Sequence, residues 1–224
     1  EFNSQIEFAV WSNRNLQISF IHSFLCSAWL IFIIVNNYEK MSEDLFSYVS
    51  WDTYLFISFS SGYFLYDFYD IYANGYLRKE WVVCLHHLIV ILSFAYHLMA
   101  VMNIGYTTMS LVMEFNSFFL HGRKLLKFYG YKNDSLLVKL NSFLNLLTFI
   151  LFRFGFLIAI YFGIRKDCHR ASIYYLSILI CFTLMMIVIN VVLFKRIIEK
   201  DIISRFKKNT NNNTMPKCLA NVKS

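Results

Sequence analysis

His86 and His87 stand side by side near the start of a run of mostly apolar residues, 80–101. Imidazole titrates near neutral pH. Held by a carboxylate, it can act as a general base or as a nucleophile that carries an acyl group. Carboxylates are available on the neighbouring apolar runs, Asp67 and Asp70 before the pair and Glu114 after it. These five residues are the catalytic candidates. The alternative is that they hydrogen-bond to one another and knit helices together, and spacing alone leaves both readings open. The cysteines at 26, 84, 168, 181 and 218 have no C-x-x-C spacing, and no phosphate-binding glycine loop, nucleophile elbow or zinc-protease helix occurs. No metal or cofactor is expected.

The elements that must position these groups follow from composition. The chain is 58% hydrophobic and 16% charged, with one proline. A helix crosses a bilayer with roughly 20 apolar residues, and six stretches qualify: 15–36, 51–72, 81–101, 104–122, 139–163 and 172–194. A soluble protein buries one or two such helices, not six in succession. The expected fold class is therefore an all-α membrane protein with six transmembrane helices. Trp51, Tyr72, Trp81 and Tyr161 sit near helix ends, where aromatic anchors belong.

Basic residues assign the sides. Sixteen of the 21 lysines and arginines fall on the chain ends, on the connections 73–80 and 122–138, or, as Lys139, at the edge of the latter, and only Lys40, Arg165, Lys166 and Arg170 fall on the opposite side. Positive flanks stay in the cytoplasm, so the C-terminus is expected there. The net charge of +7 then reads as topology plus attraction to anionic lipid heads, with no nucleic-acid partner. The sequons at Asn133 and Asn212 lie on that side and are expected to be unmodified. After 194, the basic stretch 195–208 suits either a stop-transfer flank or a short helix on the membrane surface. Residues 204–224 form a polar tail expected to be disordered. The chain begins at Glu1, and residues 1–10 read as the remnant of an upstream segment.

Polar stripes refine the site. Ser60, Tyr63, Asp67 and Asp70 recur at helical spacing, as do Asn15, Ser19, His22 and Cys26; Ser110, Glu114, Ser117 and His121; and Asn141, Asn145 and Thr148. Polar faces turn away from hydrocarbon, so these stripes should line a chamber. Asp67 and His86 each lie about 7–8 Å inside the cytoplasmic end of their helices and share a layer, which His22 also reaches. His86 and His97, eleven residues apart, face one way, while His87 points about 100° aside. Glu114 and Arg153 are both near mid-depth and are expected to form a charge pair.

The strings WSNRNLQISFIHS (11–23), SSGYFLYDFYDI (60–71), WVVCLHHLIVILSF (81–94), LVMEFNSFFLHGRKLL (111–126) and NSFLNLLTFILFRF (141–154) resemble the TLC-domain membrane proteins. Within that family the likeness is to the branch of TLC domain-containing proteins 1 and 2. It covers residues 11–203. The resemblance implies a six-helix barrel around a lipid-accessible cavity, preceded by one further helix that is missing here. Ceramide synthases, a more distant branch, follow the His-His pair with H-D-x-x-D; here MEFNS (113–117) puts Glu114 and Ser117 at the two acidic positions, which departs from that pattern.

The branch therefore implies a role in phospholipid acyl-chain composition and membrane fluidity, limiting polyunsaturated long-chain phospholipids. It implies membrane lipids as partners and the plasma membrane as location, with the endoplasmic reticulum as alternative. Two further readings stand beside it: an acyltransferase working through His86 or His87 with acyl-CoA as co-substrate, and a transporter or channel. The transporter reading ranks third because glycine and proline breaks at mid-depth are few.

Overall fold

The computed structural model describes residues 2–199, and the expectations for the tail at 204–224 and for most of 195–208 lie outside it. Among the described residues the chain is helical throughout: α1 (Phe2–Glu43), α2 (Trp51–Ala73), α3 (Trp81–Ala100), α4 (Ile104–Ser110), α5 (Glu114–Phe128), α6 (Leu136–Thr148), α7 (Gly155–Asp167) and α8 (Ile173–Ile198). A 3-10 turn at Leu111–Met113 joins α4 to α5, and a π turn at Phe149–Phe154 joins α6 to α7. The eight segments therefore make six continuous rods.

Four of the rods, α1, α4–α5, α6–α7 and α8, run several residues past their expected bounds, while α2 and α3 match them to within one residue. α1 extends well beyond 15–36, and no glycine or proline interrupts its length. At about 1.5 Å per residue its 42 residues span roughly twice a ~30 Å hydrocarbon core. Side chains cap three of the other rods. Ser50 and Thr53 form a reciprocal capping box on α2, and the Ser135 and Ser172 hydroxyls accept from backbone N–H groups at the starts of α6 and α8. Gly130, at φ +79°, follows the end of α5 in the left-handed conformation that glycine favours.

α1, α3, the α6–α7 rod and α8 are each long and apolar enough to cross a membrane. α2 and the α4–α5 rod fall below that standard. α2 carries Asp52, Asp67, Asp70 and five tyrosines, and α5 carries Glu114 and three basic residues, and this polar content lowers the hydropathy of both.

Packing follows a ring. α1 touches α2, α2 touches α3, α3 touches α8, α8 touches α7, and α6 returns through α5 to α1. The main core lies where α1, α2 and α4 meet, around Leu30, Ile33, Phe56, Ile57 and Ile104, none of them exposed. The outer surface is apolar: Val35, Leu136, Tyr174 and Val188 are between 64% and 81% exposed. Water would penalise that surface, and lipid does not.

Candidate functional site

The ring encloses two adjoining cavities. One lies toward the end that carries the connections after α2 and α5, where the basic residues cluster; the other lies toward the opposite end. They share a wall made of Phe64, His86, Glu114 and Arg153.

The chamber at the basic end holds about 860 Å³ of empty space, part of it open to the outside, and is the more polar of the two, although Leu16, Ile71, Val82 and Leu193 also line it. His87 on α3 places Nδ1 3.0 Å from Oδ2 of Asp67 on α2, with both side chains buried. The contact is close but not aligned as a hydrogen bond. Asn15 on α1 donates to the other Asp67 oxygen, so the carboxylate is held from two helices. Tyr63, Ser117, His121, Lys124 and Glu80 complete the walls. An imidazole oriented this way, facing a cavity, is equipped to accept a proton. His86 lies beside it with ring centroids 5.5 Å apart, and its buried Nδ1 makes no hydrogen bond.

Depth placed the aspartate in the right layer but with the wrong histidine beside it. Successive residues on a helix diverge by about 100°, and that angle gives Asp67 to His87 and turns His86 inward to the shared wall. Asp70 is not in the chamber. It accepts from Trp11 Nε1 at 2.7 Å and from Arg14 at 3.0 Å, and so fastens α2 to the start of α1. One helical turn was enough to carry it from the wall to the rim.

Arg153 and Glu114 meet indirectly. All three guanidinium nitrogens are taken by neutral oxygens: Nε by Asn116 Oδ1 at 2.7 Å, Nη1 by Asn190 Oδ1 at 3.0 Å and Nη2 by Ser117 Oγ at 3.1 Å. Ser117 Oγ in turn donates to Glu114 Oε1 at 3.4 Å, and Ser23 Oγ donates to Oε2 at 2.8 Å. The expected charge pair is therefore bridged by the Ser117 hydroxyl rather than in direct contact. The physical reason is the π turn. Thr148 and Arg153 are five residues apart, about 140° divergent on an α-helix but close to one full π turn, so Arg153 swings onto the side of Asn145 and Thr148. Asn116 bonds those two residues as well.

The second chamber holds about 920 Å³ of empty space, also partly open, and is mainly apolar, with Ile89, Phe94, Leu111, Leu157 and Phe182 among its walls. Its far end is closed by a polar knot: His97 Nδ1 is 2.8 Å from Thr107 Oγ1, His97 Nε2 is 3.1 Å from Tyr175 OH, and Asn103 Nδ2 donates to the same Tyr175 oxygen.

Of the residues expected to line a cavity, Tyr63, Ser117 and His121 line the polar chamber and His97 the apolar one. Ser60, His22, Asn141 and Asn145 do not. His22 stacks on Tyr63 with centroids 3.7 Å apart and meets Cys26 at 3.1 Å, while Ser60 touches Cys26 at 3.3 Å, so all three are buried between α1 and α2. Asn145 is buried against Asn116, and Asn141 packs beside Gly122 between α5 and α6. A polar stripe points inward, but the first thing inside is often the next helix.

Asn116, Asn190 and Asn103 were missed. Asn190 is the clearest lost signal, a single amide in the middle of α8, the most hydropathic rod. Among the described residues no three His, Cys, Asp or Glu side chains converge to hold a metal ion.

Residues 14–199 match the TLC domain family. TLC domain-containing protein 2 of Danio rerio is 28% identical over 191 residues, covering 85% of this chain and 77% of that protein. TLC domain-containing protein 1 of Homo sapiens is 30% identical over 143 residues, and that of Gallus gallus is 33% identical over 144, each covering 64% of this chain. The chain spans little more than half the length of these last two, 57% and 56%. No solved structure matches.

Proposed function

This chain belongs to the TLC-domain family, and from that premise we propose that it regulates phospholipid acyl-chain composition, and through it membrane fluidity, by binding lipid acyl chains without transforming them. The observation that carries the reading is the pair of adjoining cavities. An apolar chamber beside a polar one, meeting at His86, Glu114 and Arg153, matches an amphiphile with its head in one and its tail in the other. The resemblance to the non-synthase branch gives the direction of the effect: fewer polyunsaturated long-chain phospholipids. The plasma membrane is the site of action, the C-terminus is cytoplasmic, and the basic end faces anionic lipid heads.

The second reading is an acyltransferase that takes acyl-CoA as co-substrate. It is favoured by the His87–Asp67 contact and weakened by Glu114 and Ser117, which depart from the H-D-x-x-D pattern and are engaged with Ser23 and Arg153. Lipidomic profiling of cells making the wild-type protein or a His87→Ala variant, which leaves the shared wall intact, with membrane delivery checked, separates the two. A binding regulator retains its effect on phospholipid profiles without the His87 imidazole; an acyltransferase loses it. Profiles unchanged by removal of the whole protein contradict both.

A further inference from the structure

On the side away from the shared wall, the apolar chamber meets a partition. Tyr106 on α4, with Asn103, Ile160 and Leu179, borders the chamber on one side and, on the other, a smaller, partly open cavity with about 280 Å³ of empty space. The smaller cavity continues in the same direction, toward Phe46, Ile164 and Leu176.

The Tyr106 side chain is held at its hydroxyl end by two contacts. Its hydroxyl donates to Asp167 Oδ2 at 2.8 Å, and Asp167 is held by Arg170 at 3.2 Å, which makes two 2.8 Å bonds to Asp44 across the end of the bundle. Its ring lies so close to Gly163 that a Cβ there would stand 2.6 Å from Cε1. Only a residue without a side chain leaves room for the ring at that point. A bulky aromatic group anchored across a tunnel, with unused volume behind it, acts as a stop.

We propose that Tyr106 is the stop that sets the length of acyl chain this chamber admits. The inference rests on the lipid-binding reading above and specifies its ligand: a single acyl tail whose head lies at the shared wall of His86, Glu114 and Arg153 and whose terminal methyl abuts the Tyr106 ring. A pocket distinguishes chains differing by one methylene about 10-fold or more, so a fixed wall at the tail end is enough to select by length. Removing the ring joins the two cavities and admits longer chains. The hydroxyl positions the ring and does not itself measure the chain.

The test uses the purified chain in detergent with an equimolar mixture of saturated fatty acids of graded length, the retained species being identified by native mass spectrometry. Tyr106→Ala is expected to raise the ratio of longer to shorter retained chains about 10-fold relative to wild type. Tyr106→Phe, which keeps the ring, leaves the ratio unchanged. Leu157→Trp, which narrows the chamber short of the stop, shifts it toward shorter chains. Where Tyr106→Ala does not fold, Tyr106→Leu must give the same lengthening. A distribution that neither truncation moves overturns the stop while leaving lipid binding intact. Wild-type protein that retains no acyl chain overturns the lipid-binding reading and the stop with it.

Discussion

Arg153 carries a charge into the middle of the bundle and surrounds it with amide and hydroxyl oxygens rather than with a carboxylate. The three bonds tie two elements to the π turn: Asn116 and Ser117 from α5, Asn190 from α8. A buried guanidinium deprived of one acceptor loses a charge-assisted bond, whereas interhelical bonds in membranes are on average weaker. Asn190→Leu is therefore expected to cost about 1–2 kcal/mol, a fall of roughly 3–8 °C in the melting temperature in detergent. An unchanged melting temperature would show that α8 does not depend on this bond. At the opposite end, Asp44 accepts two hydrogen bonds from Arg170, and these hold its carboxyl well below the usual carboxylate range. The unfolded carboxyl titrates near 3.9, so the stabilisation is present above about pH 4 and is lost as pH falls through the lower folded value. Asp44 is substantially exposed, and screening limits the contribution to about 1 kcal/mol. Asp44→Asn should flatten the acid limb of a stability-against-pH curve; a limb as steep as wild type would assign acid sensitivity to other groups.

At the scale of elements, one contact shows how tightly the rods are set. Gly105 on α4 faces the carbonyl of Leu45, and a Cβ there would collide with that oxygen and lie 3.1 Å from Leu45 Cδ1. Backbone cannot yield as a side-chain tip can, so Gly105→Ala is expected to destabilise by about 1–3 kcal/mol in detergent melts. Gly62→Ala is the control, because that position opens onto empty space and the change stays within about 1 kcal/mol in the favourable direction. Equal effects at the two glycines would contradict the packing of α4 on the α1–α2 connection. The number and order of the rods were legible in the sequence, since 20-residue apolar runs leave few alternatives. So was the rough depth of Asp67 and the His-His pair. Azimuth was not: period alone predicted neither the π turn that re-aims Arg153 nor the distinction between a polar group facing a cavity and one facing the next helix. Ser60 and His22 have the spacing of cavity residues and pack between α1 and α2.

Over the whole molecule, polar groups are gathered inside a ring of six rods whose outer faces are apolar, the reverse of a soluble protein and what a bilayer demands. The interior is divided lengthwise into a polar chamber holding His87 and Asp67 and an apolar chamber ending at Tyr106, with His86, Glu114 and Arg153 between them. On that division rests the proposal that the protein holds one lipid tail out of the bilayer. The central claim is that an acyl chain occupies the apolar chamber. A fatty acid carrying a photoreactive group near its terminal methyl, activated in membranes containing the protein, tests it most directly. Mass spectrometry of the labelled peptides should find adducts on inward residues such as Phe94, Leu111 and Leu157, competed away by excess unlabelled fatty acid. Adducts confined to outward residues such as Leu147 and Val188, with none inside the ring, would contradict it.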